Sequence, residues 1–314
     1  MILSKRDRKM NHIPVMLNEV IELITAHTNK SHLRILDATL GLGGYSEAVL
    51  EKFPDCSVLG IDRDEEAIRL SRERLKDYED DSRFEARHVN FGDIGEIINS
   101  SKPFDAFMFD LGVSNMQLTL PERGFSFNSD GLLDMRMNPS GDSRTAADVL
   151  RESDEKTLAK IFWDYGEERF SRLIASAIKR SKTPITTTSE LVNVIRGALP
   201  QPVQRKMGTH PARRVFQALR IFVNDETGEL ERVIMTLSEI NYEALIIFVS
   251  YHSLEDRLVK YAFRQWQGDD KGKILTRHPL TPSESELEDN YKSRSAKLRA
   301  FLFKNSNAKF LISH

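Results

Sequence analysis

Four short apolar runs, each ending at a polar residue, constrain this chain more than any other feature. They are Leu33-Arg34-Ile35-Leu36-Asp37, Ser57-Val58-Leu59-Gly60-Ile61-Asp62, Ala106-Phe107-Met108-Phe109-Asp110 and Ala244-Leu245-Ile246-Ile247-Phe248-Val249. Ser46 to Phe53 and Glu65 to Lys76 read as helices between the first runs, and Phe84 to Val89 as a weaker strand. Such alternation predicts an α/β fold, with a parallel sheet and helices on both faces. In open sheets of this kind, ligands bind beyond the carboxyl ends of the strands. The run ending at Asp110 leads into a long polar segment through Ser114, Gln117, Arg123-Gly124-Phe125-Ser126-Phe127, Asp130-Gly131 and Leu133-Asp134-Met135-Arg136-Met137. Loops of that length are usually functional or disordered. Two aromatics, two Met and two Arg among the glycines argue against disorder.

The pattern changes after this loop. From Ala146 to about Met207 the chain reads as helical, and Phe170, Leu173, Ile174, Ala177 and Ile178 form an amphipathic stripe. Leu199-Pro200-Gln201-Pro202-Val203-Gln204 is expected to break helices twice. Gly166-Glu167-Glu168 reads as a helix start, with acids suited to the N-terminal dipole. Helices follow from Arg213 to about Asn224 and around Leu230, Val233, Ile234 and Leu237. The α/β signature then returns at Ala244. Ser253 with Asp256 resembles a capping box, Lys271 to Asn290 a polar surface loop, and Leu298 to Phe303 a last strand. One sheet interrupted by a helical insertion accounts for this order. The expected domains are 1–115 with 213–314, and an inserted 116–212.

A length of 314 residues suits about two domains, and 40% hydrophobic residues suffice for a core. The net charge of -2 neither supports nor excludes an RNA partner, since a local basic face can coexist with it. A single cysteine, Cys56, rules out a disulfide framework and favours an intracellular, cytoplasmic setting. Neither Cys56 nor the eight histidines have ligand spacing, so no metal is argued. No apolar run has the length of a membrane span. Lys5-Arg6-Asp7-Arg8-Lys9 precedes no apolar stretch of the secretory type.

Asp37-Ala-Thr-Leu-Gly-Leu-Gly-Gly-Tyr-Ser46 lies between the first strand and helix. Glycines there let the backbone turn and approach a ligand closely. The second strand ends at Asp62, nineteen residues after Gly43, where an acid can accept both ribose hydroxyls of an adenosine. Nicotinamide dinucleotides and S-adenosyl-L-methionine both use this arrangement. The spacing Gly41-x-Gly43-Gly44 with Asp37 before it favours the second, because a carboxylate suits the amine of the methionine moiety and repels phosphate. Asn90-Phe91 offers an amide and a ring where an adenine could lie. The bland reading of Asp62 is a helix cap before Glu65-Glu66.

Asp110 ends the fourth strand, where amino-directed methyltransferases carry a polar acceptor. An exocyclic base nitrogen has its lone pair delocalised into the ring. An acceptor bonding its N–H groups favours a pyramidal nitrogen and aims the lone pair at the methyl donor. Asp110 and Ser114 are the candidates, with Gln117 in reach of cofactor or base; Asp110 could also merely cap a turn. His252 and Asp256 could be read as a catalytic pair, but a structural or substrate-positioning role for His252 is preferred. Arg213, Arg214, Arg220, Arg294, Lys297 and Arg299 could bind phosphates or be ordinary solvated cations.

In chain order, Asn11-His-Ile-Pro-Val-Met-Leu-Asn-Glu-Val20, the Asp37 to Ser46 loop, Asp110-Leu-Gly-Val-Ser114, Arg123-Gly-Phe-Ser-Phe127 and Leu133-Asp-Met-Arg-Met137 are joined by four later motifs. Those are Tyr165-Gly-Glu-Glu-Arg-Phe170, His210-Pro-Ala-Arg-Arg-Val-Phe-Gln-Ala-Leu-Arg220, Ser250-Tyr-His-Ser-Leu-Glu-Asp-Arg257 and Arg294-Ser-Ala-Lys-Leu-Arg299. Together they closely resemble the ribosomal RNA small-subunit methyltransferase H (MraW) family, over about residues 11 to 300. The resemblance implies S-adenosyl-L-methionine-dependent N4-methylation of a cytidine in the decoding region of 16S ribosomal RNA. It implies a Rossmann-like class I methyltransferase sheet with an inserted all-helical substrate-recognition domain. Carried over by motif, cofactor contacts fall on Gly43, Gly44, Tyr45, Asp62, Phe91, Asp110 and Gln117, beside the Asp37 read above. Arg123, Phe125, Asp134, Arg136, Arg213, Arg220 and His252 are the expected substrate residues. The partner implied is small-subunit ribosomal RNA in an assembled subunit, without a membrane; a homodimer is compatible with the chain. Departures are Tyr45 for a common His, Asn115-Met116 for Ser-Pro, Tyr251 for Phe, and Asn241-Tyr242-Glu243 without a Gly-Gly. They leave room for a mitochondrial relative. The rival readings are a nicotinamide-dependent oxidoreductase and a non-catalytic ribosome-assembly factor.

Overall fold

A computed structural model describes residues 14–28, 30–140 and 143–304. The basic stretch Lys5 to Lys9 and the first three residues of the Asn11 motif lie outside them. The strands are β1 Arg34–Asp37, β2 Ser57–Asp62, β3 Phe84–His88, β4 Ala106–Asp110, β5 Ala244–Ser250, β6 Gly272–Ile274 and β7 Lys297–Phe303. They form one sheet in the order β3-β2-β1-β4-β5-β7-β6. The pairs from β3 through β5 are parallel, while β7 is antiparallel to both β5 and β6.

The apolar runs are explained by burial on both faces. Ile35, Val58, Ala106, Met108, Leu245 and Ile247 join one apolar cluster, and their neighbours Leu36, Leu59, Phe107, Phe109, Ile246 and Phe248 join another. Successive side chains on a strand point to opposite faces, so a fully apolar run is what a doubly covered parallel sheet demands. Phe109 stacks on Phe248 across the β4–β5 pair, with ring centroids 4.4 Å apart. Trp266, on the helix Ser253–Gly268, packs on Phe301 and Phe303 of β7.

The chain divides into two compact units, one running to Gly112 and resuming at Gly228, the other Val113–Thr227. The second unit has its own core, in which Leu158, Phe162, Ile174, Leu191, Ile195, Val215 and Leu219 are buried. Its helices are well stopped. Thr145 with Asp148, and Thr187 with Glu190, form capping boxes. The helix Arg213–Asn224 buries Val215, Phe216, Ala218 and Leu219 in this core. It therefore falls in the helical unit, and the division lies at 113 and 227 where the sequence suggested 116 and 212.

Several local expectations are corrected. The helix Glu155–Gly166 ends where one was expected to begin, and Glu167 is its left-handed C-cap. A Cβ at Gly166 would sit 2.5 Å from the Arg214 carbonyl oxygen, so tertiary packing demands that glycine. In the helix Ser171–Lys179 the buried face runs through Ile174, Ala175 and Ile178, while Leu173 is 42% exposed. Pro202 does not break a second helix, because it lies in the first turn of Gln201–Lys206, where a missing N–H costs nothing. Lys271 to Asn290 is not all loop, since it holds β6 and the helix Glu284–Asp289. No helix of the described residues is long and apolar enough to cross a membrane.

Candidate active site

Asp37, Asp62 and Asp110 end β1, β2 and β4, which are neighbours in the order β2-β1-β4. The order reverses between β1 and β4, the position at which open sheets of this type hold ligands. Asp37 is only 1% exposed. Its carboxylate accepts from the Ser46 hydroxyl at 2.7 Å and from the Thr39 N–H at 3.4 Å. Burial pushes its carboxyl up to about 7, against the lowering effect of Ser46. Asp37 thus ties the end of β1 to the first turn of the helix Gly44–Lys52.

Asp62 organises the glycine loop. One carboxylate oxygen accepts from the Gly41 N–H at 2.8 Å and the other from the Asp64 N–H at 2.9 Å. Burial raises its pKa. Asp64, not Asp62, caps the helix Glu65–Arg74 by accepting from the Glu66 N–H. Gly43 sits at φ 77 as the N-cap of Gly44–Lys52, and this helix start has no side-chain cap. A Cβ on Gly43 would meet Leu75 Cδ1 at 2.9 Å. The first-turn N–H groups, those of Gly44 and Tyr45 among them, are therefore the ones such a loop can offer a ligand. The Tyr45 side chain turns inward, is 7% exposed and donates to the Val15 carbonyl.

Past β3, the Asn90 side chain accepts from the Gly92 N–H and caps the turn Phe91–Asp93. Phe91 is half-buried and packs on the second apolar cluster.

Asp110 is held on three sides. Its backbone N–H donates to the Thr39 hydroxyl at 2.6 Å, and its carboxylate accepts from the Gly112 N–H at 3.4 Å. The Tyr251 hydroxyl bonds the same carboxylate. Burial pushes the Asp110 carboxyl up to about 6, with the Tyr251 hydrogen bond opposing that rise. Gly112 leaves room for this, since a Cβ there would sit 2.7 Å from the Tyr251 ring. Sequence reading missed Tyr251 as a partner of Asp110, because the pairing of β5 with β4 through Asp110 and Val249 that brings it there belongs to the fold.

In the helical unit, Ser114 and Gln117 bond each other reciprocally. The Ser114 N–H donates to Gln117 Oε1 at 3.1 Å and the Gln117 N–H to Ser114 Oγ at 3.2 Å. The loop beyond is built from its own residues. Arg123 donates to the carbonyls of Arg136 and Met137, Asp134 clasps Arg136 at 2.8 Å, and Phe125 is buried. Met135 adopts φ 62, and a Cβ on Gly124 would sit 2.3 Å from the Leu132 carbonyl. Arg220 makes a two-pronged pair with Glu226, both contacts 2.7 Å, whereas Arg213 is exposed.

His252 caps the helix Ser253–Gly268, with Glu255 as its reciprocal partner. The capping box therefore begins one residue earlier than the Ser253–Asp256 pair expected. His252 Nε2 lies 2.9 Å from Glu255 Oε1, while Asp256 faces Arg299 at 2.7 Å and Lys297 at 3.2 Å. His252 and Asp256 thus do not act as a pair. Lys297 and Arg299 balance a partly buried acid, and Arg214 donates to the Glu167 carbonyl.

Residues 9–304 match the MraW methylase family. A ribosomal RNA small subunit methyltransferase H from Carboxydothermus hydrogenoformans is 42% identical over 313 residues, covering 93% of this chain and 97% of that one. The protein of the same name from Picosynechococcus is 43% identical over 292 residues, covering 93% and 96%. A third, from Pseudothermotoga lettingae, is 42% identical over 294 residues, covering 92% and 97%.

Proposed function

The chain belongs to the MraW methylase family, and on that premise we propose that it transfers a methyl group from S-adenosyl-L-methionine to N4 of a cytidine in small-subunit ribosomal RNA. The observation that carries the reading is Asp110, a carboxylate held at the strand end where the sheet order reverses. The relatives above carry methyltransferase names, which favours this over the nicotinamide-dependent and non-catalytic readings.

The residues suit the cofactor. Each Asp62 oxygen holds one backbone N–H and keeps a lone pair for a ribose hydroxyl. The uncapped helix start behind Gly43 supplies donors through Gly44 and Tyr45, and Phe91 offers a face for the adenine. Asp37 holds the loop through Ser46 and, ionised above pH about 7, places negative charge near the amine of the methionine moiety. When bound, the cofactor supplies a methyl group on a sulfonium. Positioning of the amine is left to the protein. Ionised above pH about 6, Asp110 accepts an N4 N–H and draws the nitrogen lone pair out of the ring. Tyr251 and Gly112 keep that acceptor oriented. The methylated nitrogen becomes acidic, so the proton leaves to Asp110 or water without a strong base. Ser114 and Gln117, which follow Asp110 in the chain, are a bonded pair whose polar atoms brace the start of the helical unit.

The helical unit is the RNA-recognition part of this proposal. Arg123, Asp134 and Arg136 are the residues offered for RNA contact, on a loop their own polar groups brace and Phe125 backs. Arg220 orders its helix end through Glu226, leaving exposed Arg213 for phosphate. His252 sets the direction of its helix beside Tyr251. The substrate is the RNA presented in an assembled small subunit.

The test is methyl transfer from labelled cofactor to small subunits lacking the modification, with the product identified as N4-methylcytidine by mass spectrometry. Asp110→Ala is expected to lose about 10²- to 10³-fold in rate while still binding S-adenosylhomocysteine, and Asp110→Asn to keep part of the rate. Full activity of Asp110→Ala would sink the role. Stabilisation by NAD but not by S-adenosylhomocysteine in a thermal-shift titration would sink the cofactor.

A further inference from the structure

Glu229 lies far in sequence from the cofactor residues, yet it grips the turn that carries Phe91. One carboxylate oxygen accepts from the Asn90 side-chain amide at 2.7 Å and pairs with Arg232 at 2.7 Å. The other has no hydrogen-bond partner among the described residues and is buried. That oxygen occupies the space a side chain at position 92 would need, since a Cβ on Gly92 would lie 1.6 Å from it. Gly92 is therefore glycine because Glu229 is there, although its own backbone needs no left-handed conformation. Asn90 is bound at both ends of its amide, accepting from the Gly92 N–H and donating to Glu229. Just before it, the Val89 N–H donates to the Asp62 carbonyl. The clamp thus fixes the peptide between Asp62 and Phe91, the two residues proposed for the ribose and the adenine.

A buried carboxylate is costly unless its bonds do something. With Glu229 only 7% exposed, a simple apolar contact would close this seam as well. We propose that Glu229 is a positioning residue for the adenosine end of the cofactor, acting through Asn90 and Gly92 on the placement of Phe91. This rests on the S-adenosyl-L-methionine reading above. Glu229 does not touch the transferred methyl group, so its loss should weaken ground-state binding and transition-state binding alike. That raises KM with kcat retained.

The experiment measures KM for S-adenosyl-L-methionine, kcat, and calorimetric Kd for S-adenosylhomocysteine and for adenosine. Glu229→Ala is expected to raise KM and both Kd values about tenfold, the scale of one lost hydrogen bond to a charged group, with kcat within about twofold. Glu229→Gln, which keeps an acceptor for Asn90, should recover most of the affinity. Asn90→Ala should reproduce the Glu229→Ala profile if the latter protein is too unstable to assay. A role in stability alone would lower the folded fraction, and with it the apparent kcat, at unchanged KM; that result overturns the proposal. So does adenosine affinity unchanged in both alanine variants. Failure of the unaltered protein to bind S-adenosylhomocysteine would instead overturn the cofactor reading and this inference with it.

Discussion

Asp37, buried, and Asp110, half-buried, are both carboxyls at strand ends, and they should reveal themselves in opposite experiments. Asp110 must be ionised to accept an amine N–H, so methyl transfer should fall as the pH drops through about 6, in a pH–rate profile measured at saturating cofactor. Stability follows the other sign. From the ordinary value of 3.8 up to about 7, folded Asp37 holds a proton that the unfolded chain has lost. Raising the pH through that window therefore costs stability, and the stabilising contribution is complete only below 3.8. Asp37→Asn keeps an acceptor for Ser46 and removes the titration. It should be more stable than the unaltered protein at pH 8 by about 4 kcal/mol, with the gain gone near pH 4, as read from thermal melts across pH.

At the scale of elements, the glycine loop makes the sharpest prediction. Gly43→Ala forces a side chain into φ 77 and against Leu75. It should cost about 1–2 kcal/mol in a denaturation curve and weaken S-adenosylhomocysteine binding in calorimetry, because the helix start would move. The loop was legible because glycine, acid and strand end are neighbours in sequence. The same holds for Asp110, whose strand announces itself by continuous apolarity. What stayed hidden depends on partners distant in the chain. Gly166 looked like a helix start until the Arg214 backbone beside it was known. Leu173 has helical spacing but faces outward, since spacing defines a stripe without naming which of its edges is covered. His252 was passed over as a cap because hydroxyl and short acid side chains dominate that position. Glu229 and Tyr251 were invisible for the same reason: their partners lie across the fold.

Among the described residues, each of the three apolar clusters belongs to one unit. Leu158→Ala opens a cavity in the helical core alone. It should cost that unit about 2–5 kcal/mol, seen as faster hydrogen exchange over the helices from 146 to 224, with exchange in β1, β4 and β5 unchanged. A general loss of protection would mean the two cores stand or fall together. From sequence the helical insertion was expected to end at 212, whereas the compact unit runs to Thr227, because the apolar face of Arg213–Asn224 records that it must be buried, not by what.

The pairing of β4 with β5 also sets a timetable for synthesis. The strands are neighbours in the sheet, yet 133 residues separate Asp110 from Ala244. At about 5–20 residues per second, a nascent chain carries β4 as an open edge for roughly 7 to 27 seconds before its partner leaves the ribosome. Exposed apolar edges of that kind invite pairing with other chains. The helical unit, complete by Thr227, has all its core residues in hand during that wait. Its early folding would shorten the unstructured tether between the two strands before β5 docks.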